Sequence, residues 1–196
     1  MKLKIYTPER GGMLIVNNKK FINKVKIIHD KGTNRYLMKE GKIKYYSWVG
    51  IGSAFLMTEF TASYLLPQIK NYKKTFFKRS KLYFRYLKYL SKIQNRKFYI
   101  PNNFKFKYNF HALVLILEKI NREKFLKFLK KYKINAVISY TPLHTSAAGK
   151  KFFRGEKKLI NTDKYVKQIV RLPLYDTLTF KQVDFICKKI EEFFKK

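Results

Sequence analysis

Apolar positions along the chain follow two different periods. Between Thr58 and Ile93, Phe60, Tyr64, Leu65, Ile69, Tyr72 and Phe76 return every three or four residues. That spacing predicts a long helix capped by Thr58, kinked where Pro67 removes a backbone donor. From Phe98 onward the runs shorten. Phe98–Ile100, Phe110–Leu117 and Ile134–Ser139 read as strands. Asn121 caps a helix to about Tyr132, Thr162–Val170 reads as a short helix and Leu172–Leu174 as extended. Thr179 caps a closing helix with Val183, Ile186, Cys187, Ile190 and Phe194 on one stripe. Strand, helix, strand and helix make an α/β unit of the last hundred or so residues.

The first third is less regular. Met13–Val16, behind Gly11 and Gly12, reads as a buried strand. Phe21, Val25, Ile27 and Ile28 follow at helical spacing, with Gly32 as the stop. Thr33–Gly52 keeps no period and carries Tyr45, Tyr46 and Trp48, which predicts a long loop serving function or spanning subunits. Three regions result: 1–57, a helix over 58–93, and 94–196.

Charge adds a question. The 196 residues hold 45 Lys plus Arg against 12 Asp plus Glu, a formal charge of +33. Such a balance usually implies nucleic acid or an anionic membrane surface. Yet only 8 of the basic residues are Arg and 37 are Lys. Arg makes the bidentate base and phosphate contacts, so no specific nucleic-acid partner is expected. Lys, Asn, Ile, Phe and Tyr are together the residues that A/T-rich codons favour, and the lysines read as solvated helix faces. No apolar run approaches the ~18 residues that span a bilayer, so no membrane partner and a cytoplasmic protein are expected. Cys187 is the only cysteine, which precludes an intrachain disulfide. His29, His111 and His144 have no metal-ligand spacing, so no metal site is expected. Gly50-Ile51-Gly52 lacks the third glycine of a dinucleotide fingerprint.

Three ordered stretches carry a resemblance. "HDKGTNRYLMKEGKIKYYSWVGIGSAFLMTEFTASYLLPQI" (29–69), "INAVISYTPLHTSAAGKKF" (134–152) and "IVRLPLYDTLTFKQVDFICKKIEEFF" (169–194) are similar, in this order, to segments of the DegT/DnrJ/EryC1/StrS sugar aminotransferases. Within that family the likeness is to the dTDP-4-amino-4,6-dideoxygalactose transaminase branch. The resemblance implies an α/β fold, the C-terminal part of a fold type I aminotransferase dependent on pyridoxal 5'-phosphate. Residues 1–57 would then be the remnant of the large cofactor domain with an inter-subunit loop. Residues 58–93 would be a linking helix and 94–196 the small α/β domain. It implies a homodimer that moves an amino group from glutamate to a dTDP-linked 4-keto-6-deoxy sugar.

The family's cofactor-holding lysine precedes paired glycines. "KIYTPERGGMLIV" places Lys4 on that position and Gly11 and Gly12 on the glycines, with Ile5, Glu9 and Arg10 departing from the motif. Lys4 is thus either the cofactor lysine or one lysine among many. The family's other cofactor contacts lie upstream, which implies a truncated chain that is not competent alone. Half of a split enzyme, completed by a separate N-terminal chain, and a basic polyanion-binding protein are the alternatives. In the Gly32-Thr33-Asn34-Arg35 motif, Arg35 would face a substrate phosphate or make a loop salt bridge. Trp48 would line the sugar pocket or pack within the loop. His144 would bond substrate or serve its loop. Ala54 stands where relatives donate to the cofactor phosphate, and alanine has no donor.

Overall fold

The computed structural model describes residues 12–93, 97–101, 109–155 and 159–195. Lys4 and Gly11 lie outside them. The chain divides into two compact units, Met1–Asn71 and Tyr72–Lys196.

The first unit is short helices and strapped loop. A 3-10 turn over Lys19–Phe21 leads into α1 (Ile22–His29), followed by α2 (Arg35–Lys39) and α3 (Glu59–Lys70). The expected strand at Met13–Val16 does not form. The segment has no ladder, and Met13, Leu14 and Ile15 are 71–84% exposed. Apolar content alone does not make a strand without a neighbour to pair with. Only Asp30, Gly32 and Thr33 are buried among the unit's described residues. Its large side chains stay open, with Ile51 at 94% and Phe60 at 91% exposure.

The helix expected over 58–93 is two helices, α3 and α4 (Tyr72–Ile93). Thr58 caps α3 as anticipated, accepting from the Thr61 amide at 3.2 Å. The interruption falls at Asn71 rather than Pro67. Asn71 leaves helical geometry, and its amide and its side-chain Nδ2 both donate to the Pro67 carbonyl, at 3.0 and 2.9 Å. Pro67 sits within the helix; the residue that can satisfy a terminal carbonyl twice ends it.

The second unit has a core. Its sheet runs β1 (Phe98–Tyr99), β2 (Leu113–Leu117), β4 (Ile169–Leu172), β3 (Val137–Ile138), antiparallel throughout. β4 therefore lies between β2 and β3, which α5 (Arg122–Lys131) connects. Register puts Leu113 opposite Leu172, Leu115 opposite Val170 and Leu117 opposite Phe98. These residues form one buried row in the core, whereas Val114, Ile116, Ile169 and Arg171 take the alternate positions. β4 corrects the expected helical end at Val170. Its period-two alternation is masked by Lys167-Gln168, which read as helix surface.

Leu82, Tyr83, Tyr86 and Leu90 of α4 pack into this core with Phe125 and Leu129 of α5. Val183, Ile186, Cys187, Ile190 and Phe194 of α8 (Phe180–Lys195) join them, which is the stripe read from sequence. Lys73, Lys74, Lys78, Lys81, Lys88 and Lys92 all lie on the exposed side of α4. The caps at Asn121 and Thr179 also form. Thr179 and Gln182 cap each other reciprocally at 2.9 and 3.2 Å. After β3 come a 3-10 turn (Leu143–Thr145), α6 (Ala147–Phe152) and α7 (Ile160–Val166).

Candidate functional site

The candidate site is built where α1 stops. Lys31 takes a left-handed conformation, φ 58°, and Gly32 follows at φ 75°. The Gly32 amide then reaches back to the Ile27 carbonyl at 2.8 Å, closing the helix end. The Gly32 carbonyl accepts from Val49 and Gly50 at 2.9 and 3.1 Å, so the loop over 45–55 is strapped to the helix stop. Ser53 completes the strap. Its amide donates to Ile28 and its carbonyl accepts from Lys31, at 3.0 and 3.1 Å. A β-carbon on Gly32 would stand 2.0 Å from the Gly50 oxygen, and one on Gly52 would stand 2.3 Å from the Gly32 nitrogen. Gly50 and Gly52, set aside as an incomplete fingerprint, thus lie at this close crossing of two backbones.

The motif side chains extend the strap. Thr33 donates its hydroxyl to the Asp30 carbonyl at 2.8 Å. Asn34 pairs with Ser47 twice, amide to carbonyl at 3.1 Å and Ser47 amide to Asn34 Oδ1 at 2.8 Å. Single bridges join Asp30 to Ala54 and Thr33 to Trp48. Arg35 opens α2 with its guanidinium 4.3 Å from the centre of the Tyr46 ring. Its Nε lies 3.9 Å from Asp30 Oδ2. Trp48, 73% exposed, lies 6.3 Å from Tyr46. Arg35 and Trp48 are therefore in one cluster, joined by Tyr46. Neither Tyr46 nor Asp30 stood out as a site residue in the sequence. Tyr46 is one of 15 tyrosines, and its contact with Arg35 spans eleven positions of irregular chain.

His144 belongs to the second unit and is engaged. Its Nε2 meets Asp163 Oδ1 at 3.0 Å, and its side chain is 6% exposed. Ser146 caps α6 by accepting from the Gly149 amide at 3.0 Å. A β-carbon on Gly149 would fall 1.7 Å from the Leu143 carbonyl, so α6 seats directly on the turn that carries His144. Among the described residues, no group of three or more His, Cys, Asp or Glu could hold a metal ion. No described helix is long and apolar enough to cross a membrane.

Residues 2–191 match the DegT/DnrJ/EryC1/StrS aminotransferase family. An uncharacterised protein of Methanocaldococcus jannaschii is 27% identical over 202 residues, covering 95% of this chain and 50% of that protein. The aminotransferase TlmJ from Streptoalloteichus hindustanus shares the fold at TM-score 0.81 and 16% identity, over 98% of this chain and 50% of TlmJ. Spr1654 from Streptococcus pneumoniae, solved in its PLP form, superposes at TM-score 0.72 and 18% identity, over 92% of this chain and 45% of its own. The chain thus spans about half the length of these relatives. On this match, the chain belongs to the DegT/DnrJ/EryC1/StrS aminotransferase family.

Proposed function

We propose that this chain supplies the second half of a sugar-nucleotide aminotransferase dependent on pyridoxal 5'-phosphate, and that it does not transfer amino groups alone. One observation carries the reading. The first unit is ordered by backbone straps around Gly32, yet it buries no large apolar side chain among its described residues. A surface with Ile51, Phe60 and Met13 almost fully open is the face of an incomplete body. The first half of the family's fold, whichever polypeptide carries it, would cover that face.

The described residues do not fit the cofactor by themselves. Ala54 is bridged to Asp30 and offers a methyl group where a phosphate donor would be needed. Pyridoxal phosphate, when bound, supplies an electron sink for the amino group's transfer. Lys4 is the amine of this chain proposed to hold it. Arg35 would receive an oxyanion of the dTDP-linked 4-keto-6-deoxy sugar or of glutamate, and Trp48 would offer a flat wall to the sugar nucleotide. The strap would aim both toward the site of a second copy in a homodimer. His144, tied to Asp163, would anchor the 140–152 loop.

The test is a glutamate-dependent amination assay on a dTDP-4-keto-6-deoxy sugar, with and without the first half of the fold. Product is expected only with it, and is lost in Lys4→Ala. Turnover by this chain alone, or turnover indifferent to Lys4, contradicts the reading.

A further inference from the structure

Arg35 carries five N–H donors, and its guanidinium donates no hydrogen bond among the described residues. Its Nε forms a long ion pair with Asp30 but is buried without a hydrogen-bond partner, and the side chain is only 29% exposed. Asp30 Oδ2, at 3.9 Å, is too far to accept from it, and Asp30 Oδ1 is also buried and unpartnered. The neighbouring Asn34 and Ser47 pair twice with each other. A desolvated Nε–H without an acceptor is costly, and an oxyanion seated on the guanidinium would supply that acceptor. The guanidinium nevertheless has a fixed seat, the Tyr46 ring at 4.3 Å.

We propose that Tyr46 is a positioning residue, holding the Arg35 guanidinium as a receiver for an oxyanion while Trp48 flanks the same ligand. This rests on the reading of the loop as substrate-facing. The ring face does the holding, because a guanidinium over an aromatic face is attracted to its quadrupole and loses rotational freedom. Asp30, 3.9 Å from Nε, accepts no hydrogen bond from the guanidinium, which leaves Nε–H and the Nη groups open to the oxyanion. The oxyanion comes from a nucleotide phosphate or from an amino donor's carboxylate.

Trp48 is the chain's single tryptophan, so its emission reports on this cluster. Thymidine diphosphate and glutamate are titrated separately into the intact chain. A saturable change with thymidine diphosphate is expected; saturation by glutamate alone supports the receiver with a carboxylate as occupant. Arg35→Gln should abolish the response. Tyr46→Phe, which keeps the ring, should match the wild type, and Tyr46→Leu should weaken binding about 3- to 10-fold. Amide protection at Val49 and Gly50 checks that the strap survives, with Tyr46→Met replacing any variant that loses it. Independently, the wild-type Arg35 Nε resonance should shift on titration. If Tyr46→Leu binds as the wild type while Arg35→Gln does not, the positioning role falls and the loop reading stands. If Arg35→Gln binds as the wild type, or if neither ligand saturates, both fall.

Discussion

The carbonyl oxygen of Gly50 occupies the space a side chain on Gly32 would need, 2.0 Å from the β-carbon position. Gly32 also lies at φ 75°, and left-handed geometry costs a side-chain-bearing residue about 1 kcal/mol or more. Gly32→Ala should therefore release the strap. Hydrogen exchange would show lost protection at the Val49 and Gly50 amides, which donate to Gly32, while α8 amides keep theirs. Retained protection at both would contradict this account of the loop.

Phe125 is fully buried, with its ring 5.0 Å from Phe193 and 5.6 Å from Phe194. Phe125→Ala should cost the second unit about 3–5 kcal/mol, much of a typical domain stability. Lys88→Ala, on the exposed side of α4, should change stability by no more than about 0.5 kcal/mol. Urea unfolding compares the two, and equal midpoints would contradict the assigned core.

Arg85 clamps α4 to α8 by donating Nε and Nη2 to the two oxygens of Asp184, at 2.8 and 2.7 Å. Those hydrogen bonds hold the Asp184 carboxyl below its ordinary range. A lowered native value means stabilisation that is complete above the unfolded value, about 3.9, and lost as pH falls through the native one. Wild type and Arg85→Met should therefore differ in melting temperature at pH 7 and converge in acid. A difference that grows toward low pH would contradict the pairing.

Burial, with the nearby Asp184 charge adding to it, pushes the Cys187 thiol up to about 12. The thiolate is the reactive form, so native Cys187 should resist alkylation at pH 8 and react only through opening of the second unit. Phe125→Ala should speed labelling in step with its loss of stability. Fast labelling of the native wild type would place Cys187 outside the core.

The second unit was the more legible in sequence. The α8 stripe and the caps at Asn121 and Thr179, like the Thr58 cap in the first unit, announced themselves because each depends on neighbours within four positions. β4 was hidden because its partners, β2 and β3, lie 32 or more positions away. Met13–Val16 misled because apolarity does not supply a pairing edge. At the candidate site, the resemblance singled out Arg35 through the Gly32–Arg35 motif and Trp48 through the loop after it. Tyr46, Asp30 and the crossing glycines were not, because backbone contacts between distant segments of loop place them.

The central claim is tested most directly by trapping the cofactor on lysine. The chain is mixed with less than one equivalent of pyridoxal phosphate, reduced with borohydride and mapped by mass spectrometry. With the first half of the fold present, the account predicts a pyridoxyl group concentrated on Lys4; without it, label scattered over the exposed lysines. Selective trapping on another lysine, or the same scatter in both mixtures, would contradict it.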